Sequence, residues 1–168
     1  MIQRHVIFSH GQESGPWGLK ISALAEVARS AGHEAHSVDY RGIRDPLERV
    51  TRLADFCKGL TGELLLAGSS LGGYVSVACT ALARPRGLFL MAPALYLRGL
   101  PPLTEGPLGC QVTVVHGWGD EVVPFSDSVR FAQAQHACLH LLQSDHRLHD
   151  QMQLIQRLFE HFLIALQS

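Results

Sequence analysis

A chain of 168 residues with 46% hydrophobic and 17% charged content is long enough for one domain with a sizeable core, removing roughly 70% of its unfolded surface from water, and too short for two comfortable ones. Its net charge of −1 offers no electrostatic handle for nucleic acid or an acidic membrane surface. The four cysteines (Cys57, Cys79, Cys110, Cys138) lack C-x-x-C pairing, which argues against a zinc ribbon or disulfide framework; Cys57 and Cys79 fall in apolar helical patterns and read as buried free thiols.

The amino terminus runs directly into an apolar strand, His5 to Ser9, without the charged leader and apolar core of a signal peptide. No run approaches the roughly 18 apolar residues of a membrane span, so a cytoplasmic protein is expected. Residues 17 to 31 carry Leu19, Ile21, Leu24, Ala25, Val27 and Ala28 at helical spacing and stop at Gly32. Ala35 to Tyr40 reads as a weak second strand, and residues 46 to 60 as a helix with Pro46 in its first turn. Leu64 to Ala67 is a short buried strand leading into a helix from Leu71 to Ala83. Gly87 to Met91 and Gln111 to His116 are the fourth and fifth strands. Phe125 to His136 is helical, Cys138 to Leu142 is a sixth strand, and His149 to Leu166 is a closing amphipathic helix.

Strands alternating with helices predict a parallel sheet covered on both faces, in one domain spanning residues 1–168 with no repeat or linker. The interval from Ala92 to Cys110 is unusual, a long segment with Pro93, Pro101, Pro102 and Pro107. It follows a strand, so it lies at the carboxyl edge, where such sheets bind ligands, and it is placed to cover a site there.

The chemistry centres on Gly68-Ser69-Ser70-Leu71-Gly72, a G-x-S-x-G between a strand and a helix. In that context the pattern predicts a sharp turn that strains Ser70 and exposes its hydroxyl, with glycines where strand and helix pass too closely for a Cβ. The Leu71 amide, at the helix start, is aimed where negative charge would develop. Alone, the pentapeptide is weak. No lysine follows to make it a P-loop, and G-x-G-x-x-G is absent. Ser69 lacks the flanking glycines, so Ser70 is the better nucleophile.

A serine needs a base, and the base an orienting carboxylate. His116-Gly117-Trp118-Gly119-Asp120 places Asp120 on the loop after the fifth strand, and Ser144-Asp145-His146 places His146 after the sixth. Glu121 and Asp127 are rivals for the acid but read as helix-start charges; His149 is the rival base but reads as a solvent-facing residue of the last helix. Asp145 is expected to cap that helix or contact a neighbouring loop. Among ten histidines, His136 and His140 have i, i+4 spacing but straddle a helix end and a strand, so no metal is expected. His10 reads as a turn-stabilising residue and Asp39 as a loop anchor.

Together, the G-x-S-x-G, the H-G-W-G-D-E-V-V-P from His116, the D-H-R-L from Asp145 and the opening Phe8-Ser9-His10-Gly11-Gln12 resemble a small serine hydrolase of the α/β-hydrolase superfamily, of the short bacterial esterase-like type with minimal cap. The order Ser70, Asp120, His146 is that family's triad order. The resemblance covers the whole chain. It implies a minimal three-layer fold with six parallel strands in order 2-1-3-4-5-6, beginning at the third strand of a full-sized member, and a second oxyanion amide from Gln12 beside that of Leu71. It implies no cofactor, and as partner a small-molecule acyl substrate. Trp17, Tyr96, Leu97 and Trp118, on loops at the same edge, are candidates to line an acyl pocket for short to medium esters or thioesters. Glu13, directly after Gln12, is an uncomfortable neighbour for an oxyanion: its side chain must point away, pair with a cation such as Lys20, or weaken the site. A catalytically inactive member that binds a small ligand or a partner protein is the alternative. The oligomeric state is not written in the sequence.

Overall fold

The computed structural model describes residues 2–104 and 106–167. Strands β1 (Arg4–Ser9), β2 (Glu34–Val38), β3 (Glu63–Ser69), β4 (Gly87–Met91), β5 (Gln111–Gly117) and β6 (Cys138–Leu142) form one sheet in order β2-β1-β3-β4-β5-β6. Every neighbouring pair is parallel. The helices are α1 (Leu19–Ser30), α2 (Pro46–Lys58), α3 (Leu71–Ala78), α4 (Thr80–Ala83), α5 (Phe125–Gln135) and α6 (Met152–Ala165), the last preceded by a 3₁₀ turn at His149–Gln151.

Side chains alternate across a strand, so each central strand feeds two cores. Ile7, Leu66, Leu88, Leu90, Val112 and Val114 pack with Leu53 of α2, Val75 of α3 and Phe131 of α5. Val6, Phe8, Leu65, Ala67, Phe89 and Met91 pack on the opposite face with Leu24 of α1 and Phe159 and Phe162 of α6. In that second core the rings of Phe8, Phe89, Phe159 and Phe162 meet with centroids 4.9–6.2 Å apart, within the range of favourable aromatic pairs.

Most elements differ from the sequence expectation by one or two residues at an end, and three of the differences have an identifiable local reason. β2 runs from Glu34 to Val38 rather than from Ala35 to Tyr40, because the Tyr40 amide donates to His10 Nε2 (2.9 Å) and its hydroxyl bonds Ser9 Oγ (2.9 Å), drawing the chain off the ladder. The helix expected over Leu71 to Ala83 divides at Cys79, where Thr80 Oγ1 donates back to the Val77 carbonyl (2.7 Å) in competition with the backbone ladder. The last helix opens with the 3₁₀ turn, after Leu148 at φ 61°. The segment 92–110 is tied down: Gln135 Oε1 accepts from the Leu108 amide (2.9 Å), Gln135 Nε2 donates to Gly106 O (2.9 Å), Tyr74 Oη donates to Pro101 O (3.2 Å), and Leu103 is buried in the core. Cys57 and Cys79 are buried free thiols.

This wiring gathers the ends of β1, β3, β5 and β6 at one edge of the sheet, and with them the loops bearing Gln12, Ser70, Asp120 and His146.

Candidate active site

Ser70 joins β3 to α3 at φ 54° and ψ −121°, a conformation strained for a residue with a Cβ. Surrounding bonds hold it there. Its amide donates to Met91 O (3.1 Å) at the end of β4, and its carbonyl accepts from the amides of Gly73 (2.9 Å) and Ala94 (3.0 Å). The turn closes only because two flanking residues lack side chains. A Cβ at Gly68 would lie 2.3 Å from Gly72 O, and one at Gly72 would lie 1.9 Å from Ser9 O.

The loops after β5 and β6 are joined by backbone. Trp118 N donates to Leu142 O (2.8 Å) and Gly119 N to Ser144 O (2.9 Å). Gly117 permits the crossing, since a Cβ there would sit 2.4 Å from Ser144 O. The Asp145 carboxylate accepts from the amides of Arg147 (2.8 Å) and Leu148 (3.2 Å), fixing the turn that presents His146.

The result is a continuous chain of hydrogen bonds. His146 Nδ1 lies 2.7 Å from Asp120 Oδ2, and His146 Nε2 lies 3.1 Å from Ser70 Oγ. A carboxylate only accepts, so His146 Nδ1 carries the proton and Nε2 presents its lone pair to the Ser70 hydroxyl. A hydroxyl so placed can surrender its proton as it attacks.

Asp120 is completely buried as a side chain and fully satisfied. Its Oδ1 accepts from the amides of Val122 and Val123 (2.8 Å each). Its Oδ2 accepts from His146 and also from His116 Nε2 (2.9 Å). Burial alone would raise its pKa. The Val123 amide, the His146 N–H and the Val122 amide outweigh burial and hold the carboxyl below its usual range, so it is ionised at neutral pH.

His116 is a participant that residue patterns alone did not assign. Its Nε2 faces two acceptors, Asp120 Oδ2 and Val123 O (3.1 Å), so that nitrogen carries the proton; Nδ1 then accepts from Ser128 Oγ (2.7 Å). Burial lowers its pKa and keeps it neutral, a donor to Asp120 rather than a counter-ion. A faint clue lay in the sequence: a histidine at a strand end four residues before the acid. Lys20, the cation that the sequence offered as a partner for Glu13, also lies near Asp120. Half-buried at the start of α1, its amine is pushed down to about 8 by burial, with Asp120 and Asp145 opposing the shift. Its charged neighbours are Asp120 and Asp145 rather than Glu13. The Glu13 side chain is exposed instead, where solvent screens its charge.

The turn after β1 packs against the serine: a Cβ at Gly11 would sit 3.3 Å from Ser70 Cβ. Arg49 of α2, almost wholly buried, donates through Nη1 to the carbonyls of His10 (3.4 Å) and Gly11 (3.3 Å), and His10 Nδ1 donates to Gly11 O (2.8 Å). In a trans peptide the N–H points opposite to the preceding C=O. The Gln12 N–H is thereby turned away from Arg49. Leu71, first residue of α3, has no intrahelical acceptor for its own N–H. Nothing in the pattern around Arg49 foretold its place, because a buried guanidinium without a carboxylate partner looks in sequence like any charged helix residue.

The four candidate lining residues stand against different neighbours. Trp17 is exposed beneath Arg29 (5.6 Å to the ring centroid), and Trp118 is exposed edge-on to Phe125 (4.9 Å). Tyr96 lies under Arg130 (4.2 Å), and it and Leu97 are half-buried against the core. An open groove of about 720 Å³ runs beside the Gln12 turn, lined by Glu13, Tyr40, Arg41, Arg44 and Arg49 among others. Of the rejected candidates, Glu121 and His149 are exposed, His136 ends α5, and His140 sits 3.3 Å from Cys138 Sγ. Asp39 binds Arg41 through both carboxylate oxygens (2.7–3.1 Å), an anchor of the loop after β2.

Residues 6–159 match the sequence model of the alpha/beta hydrolase family. A protein of the alpha/beta hydrolase superfamily from Xanthomonas campestris pv. campestris is 34% identical over 96% of this chain and 98% of its own, with a TM-score of 0.89. Est1E from Butyrivibrio proteoclasticus (20% identity, 98% of this chain and 88% of that one, TM-score 0.84) and the monoacylglycerol lipase of Paleococcus ferrophilus (16% identity, 96% and 94%, TM-score 0.80) share the fold. None of the curated proteins matches the chain. Among the described residues, no helix is long and apolar enough to cross a membrane.

Proposed function

The chain belongs to the alpha/beta hydrolase family, and from that premise we propose that it is a serine hydrolase that cleaves short to medium acyl esters or thioesters through Ser70, His146 and Asp120. The observation that carries the reading is the unbroken relay from Ser70 Oγ through both nitrogens of His146 to a buried, ionised Asp120. In this mechanism His146 Nε2 takes the Ser70 proton as Oγ bonds to the substrate carbonyl carbon. The negative charge on the carbonyl oxygen is met by the amides of Leu71 and Gln12. Asp120 holds the tautomer of His146 and stabilises the imidazolium. His146 then passes its proton to the departing alkoxide or thiolate as the tetrahedral adduct collapses to an acyl-enzyme. Water, deprotonated by the same imidazole, attacks the acyl carbon; collapse of the second adduct expels Ser70 Oγ, which recovers its proton.

The apolar rings of Trp17 and Trp118, exposed on loops at the catalytic edge, support an uncharged acyl group. With the 92–110 segment held to the core by Gln135 and Tyr74, a long lipid chain would find little cover. The exposed position of Glu13, where solvent screens its charge, supports this reading over that of an inactive binding protein.

The test is hydrolysis of p-nitrophenyl esters from acetate to decanoate by wild type and Ser70→Ala. The account expects turnover greatest at short to medium chains and lost by at least about 10³-fold in the variant. Equal rates in the two proteins would refute it.

A further inference from the structure

At the opposite end of the sheet, three side chains that the hydrolytic reading does not use converge on one point. His5 near the start of β1 pairs in register with Glu34 at the start of β2, and His36 lies two residues further along β2 on the same face. His5 Nδ1 is 3.1 Å from His36 Nε2 and 3.5 Å from Glu34 Oε2, and His36 Nε2 is 3.7 Å from that same oxygen. The nearest point equidistant from three atoms so spaced lies in their plane about 2.0 Å from each, and an ion drawn roughly 0.6 Å out of that plane toward a fourth ligand lies about 2.1 Å from each, the length of a zinc–imidazole or zinc–carboxylate bond.

The surroundings suit ligands. His5 Nε2 lies 3.0 Å from the Thr61 carbonyl, which only accepts, so that nitrogen carries the proton and Nδ1 offers its lone pair to the cluster. An imidazole whose far N–H is held by a carbonyl is the usual outer support of a metal ligand. The His36 ring is steadied edge-on by Phe56, with centroids 5.5 Å apart. His5 is buried, whereas Glu34 is 57% exposed, so one side opens to water and leaves room for a fourth ligand. A proton held between the two imidazoles would join His5 to His36 but leave the Glu34 oxygen 3.5 and 3.7 Å away without a hydrogen bond to either; a cation satisfies all three.

From this geometry we propose that His5, Glu34 and His36 bind one divalent transition-metal ion of the zinc type, with water completing a tetrahedral set. Two imidazoles and one carboxylate favour zinc over magnesium or calcium, which take all-oxygen sets. The site lies five residues along β1 from His10, on the order of 16 Å from the serine edge, so its ion takes no part in acyl transfer. What it does is fasten edge strand β2 to β1 and, through Thr61, to the turn that opens β3.

The test is the thermal midpoint of the untagged full chain against ZnCl2, with MgCl2 as control. A single saturable transition is expected, raising Tm by roughly 5–10 °C at a hundredfold excess over Kd, with no response to magnesium. His36→Gln and Glu34→Gln remove ligands from partly exposed positions, and each is expected to abolish the zinc response while leaving the metal-free Tm near that of wild type. Cys138→Ser, which removes the separate thiol–imidazole pair Cys138–His140 on β6 at the far edge of the sheet, is expected to keep it. Cobalt substituted for zinc should give the visible absorption of a four-coordinate ion, lost in His36→Gln. A flat Tm in zinc, or a response surviving in both Gln variants, overturns the site. Because Ser70 is not involved, neither result depends on the hydrolase reading.

Discussion

At Asp120 a single carboxylate oxygen serves two imidazoles, His146 in front and His116 behind. The two do different work. His146 reaches Ser70, whereas His116 is kept neutral by burial, is held in place by Ser128 and Val123, and donates to Asp120. Removing that donor leaves a buried carboxylate one hydrogen bond short and loosens the group that orients His146. His116→Ala is therefore expected to lower kcat/KM by roughly tenfold and to cost about 2 kcal/mol of stability, the scale of a lost hydrogen bond to a buried charge. Wild-type kcat/KM and stability in the variant would leave His116 without a part in the site. Ser70, Asp120 and His146 are legible as candidates because each stands beside a strand end with a recognisable neighbour pattern, and the fold brings the three together. His116 stands within such a pattern too, but only folding shows that its ring turns back onto Asp120. Arg49 carries no pattern at all, and the sequence offers Lys20 only as a partner for Glu13.

At the scale of elements, the β3–α3 junction joins the fold to the chemistry. The strain at Ser70 persists because β4 and the Ala94 amide grip its backbone, and because α3 crosses β1 at Gly72 with no room for a methyl group. The obstacle is the backbone carbonyl of Ser9, which cannot rotate aside as a side chain could. Gly72→Ala should thus destabilise the protein by on the order of 3–5 kcal/mol, read as a fall in the denaturant midpoint, and reduce activity beyond what lost folded protein explains. A variant with wild-type stability would mean the junction is looser than described. The pattern around Ser70 announced this crossing. It could not announce where helix 71–83 would divide or where β2 would end, because Thr80's back-bond and the Tyr40–His10 contact depend on tertiary partners.

At the scale of the molecule, the order β2-β1-β3-β4-β5-β6 separates two regions. Carboxyl ends collect Ser70, Asp120, His146 and the two candidate oxyanion amides; amino ends at β1 and β2 collect His5, Glu34 and His36. Alternating strands and helices made the sheet legible, and the motif order made its threading legible. The histidine cluster was not. His5 and His36 lie 31 residues apart and meet only through the register of two parallel strands, which no local spacing encodes. The same opacity holds for substrate choice. Trp17, Tyr96, Leu97 and Trp118 share an edge, but each is held by a different neighbour.

The proposed mechanism stands or falls on Ser70 being an activated nucleophile. Treatment of the folded protein with a fluorophosphonate, with the adduct mapped by peptide mass spectrometry, decides the matter. One adduct per chain is expected, on Ser70, formed rapidly by wild type and at least about 10³-fold more slowly by His146→Ala. Failure of the folded protein to react, or an adduct on Ser69 or any other residue, would contradict it.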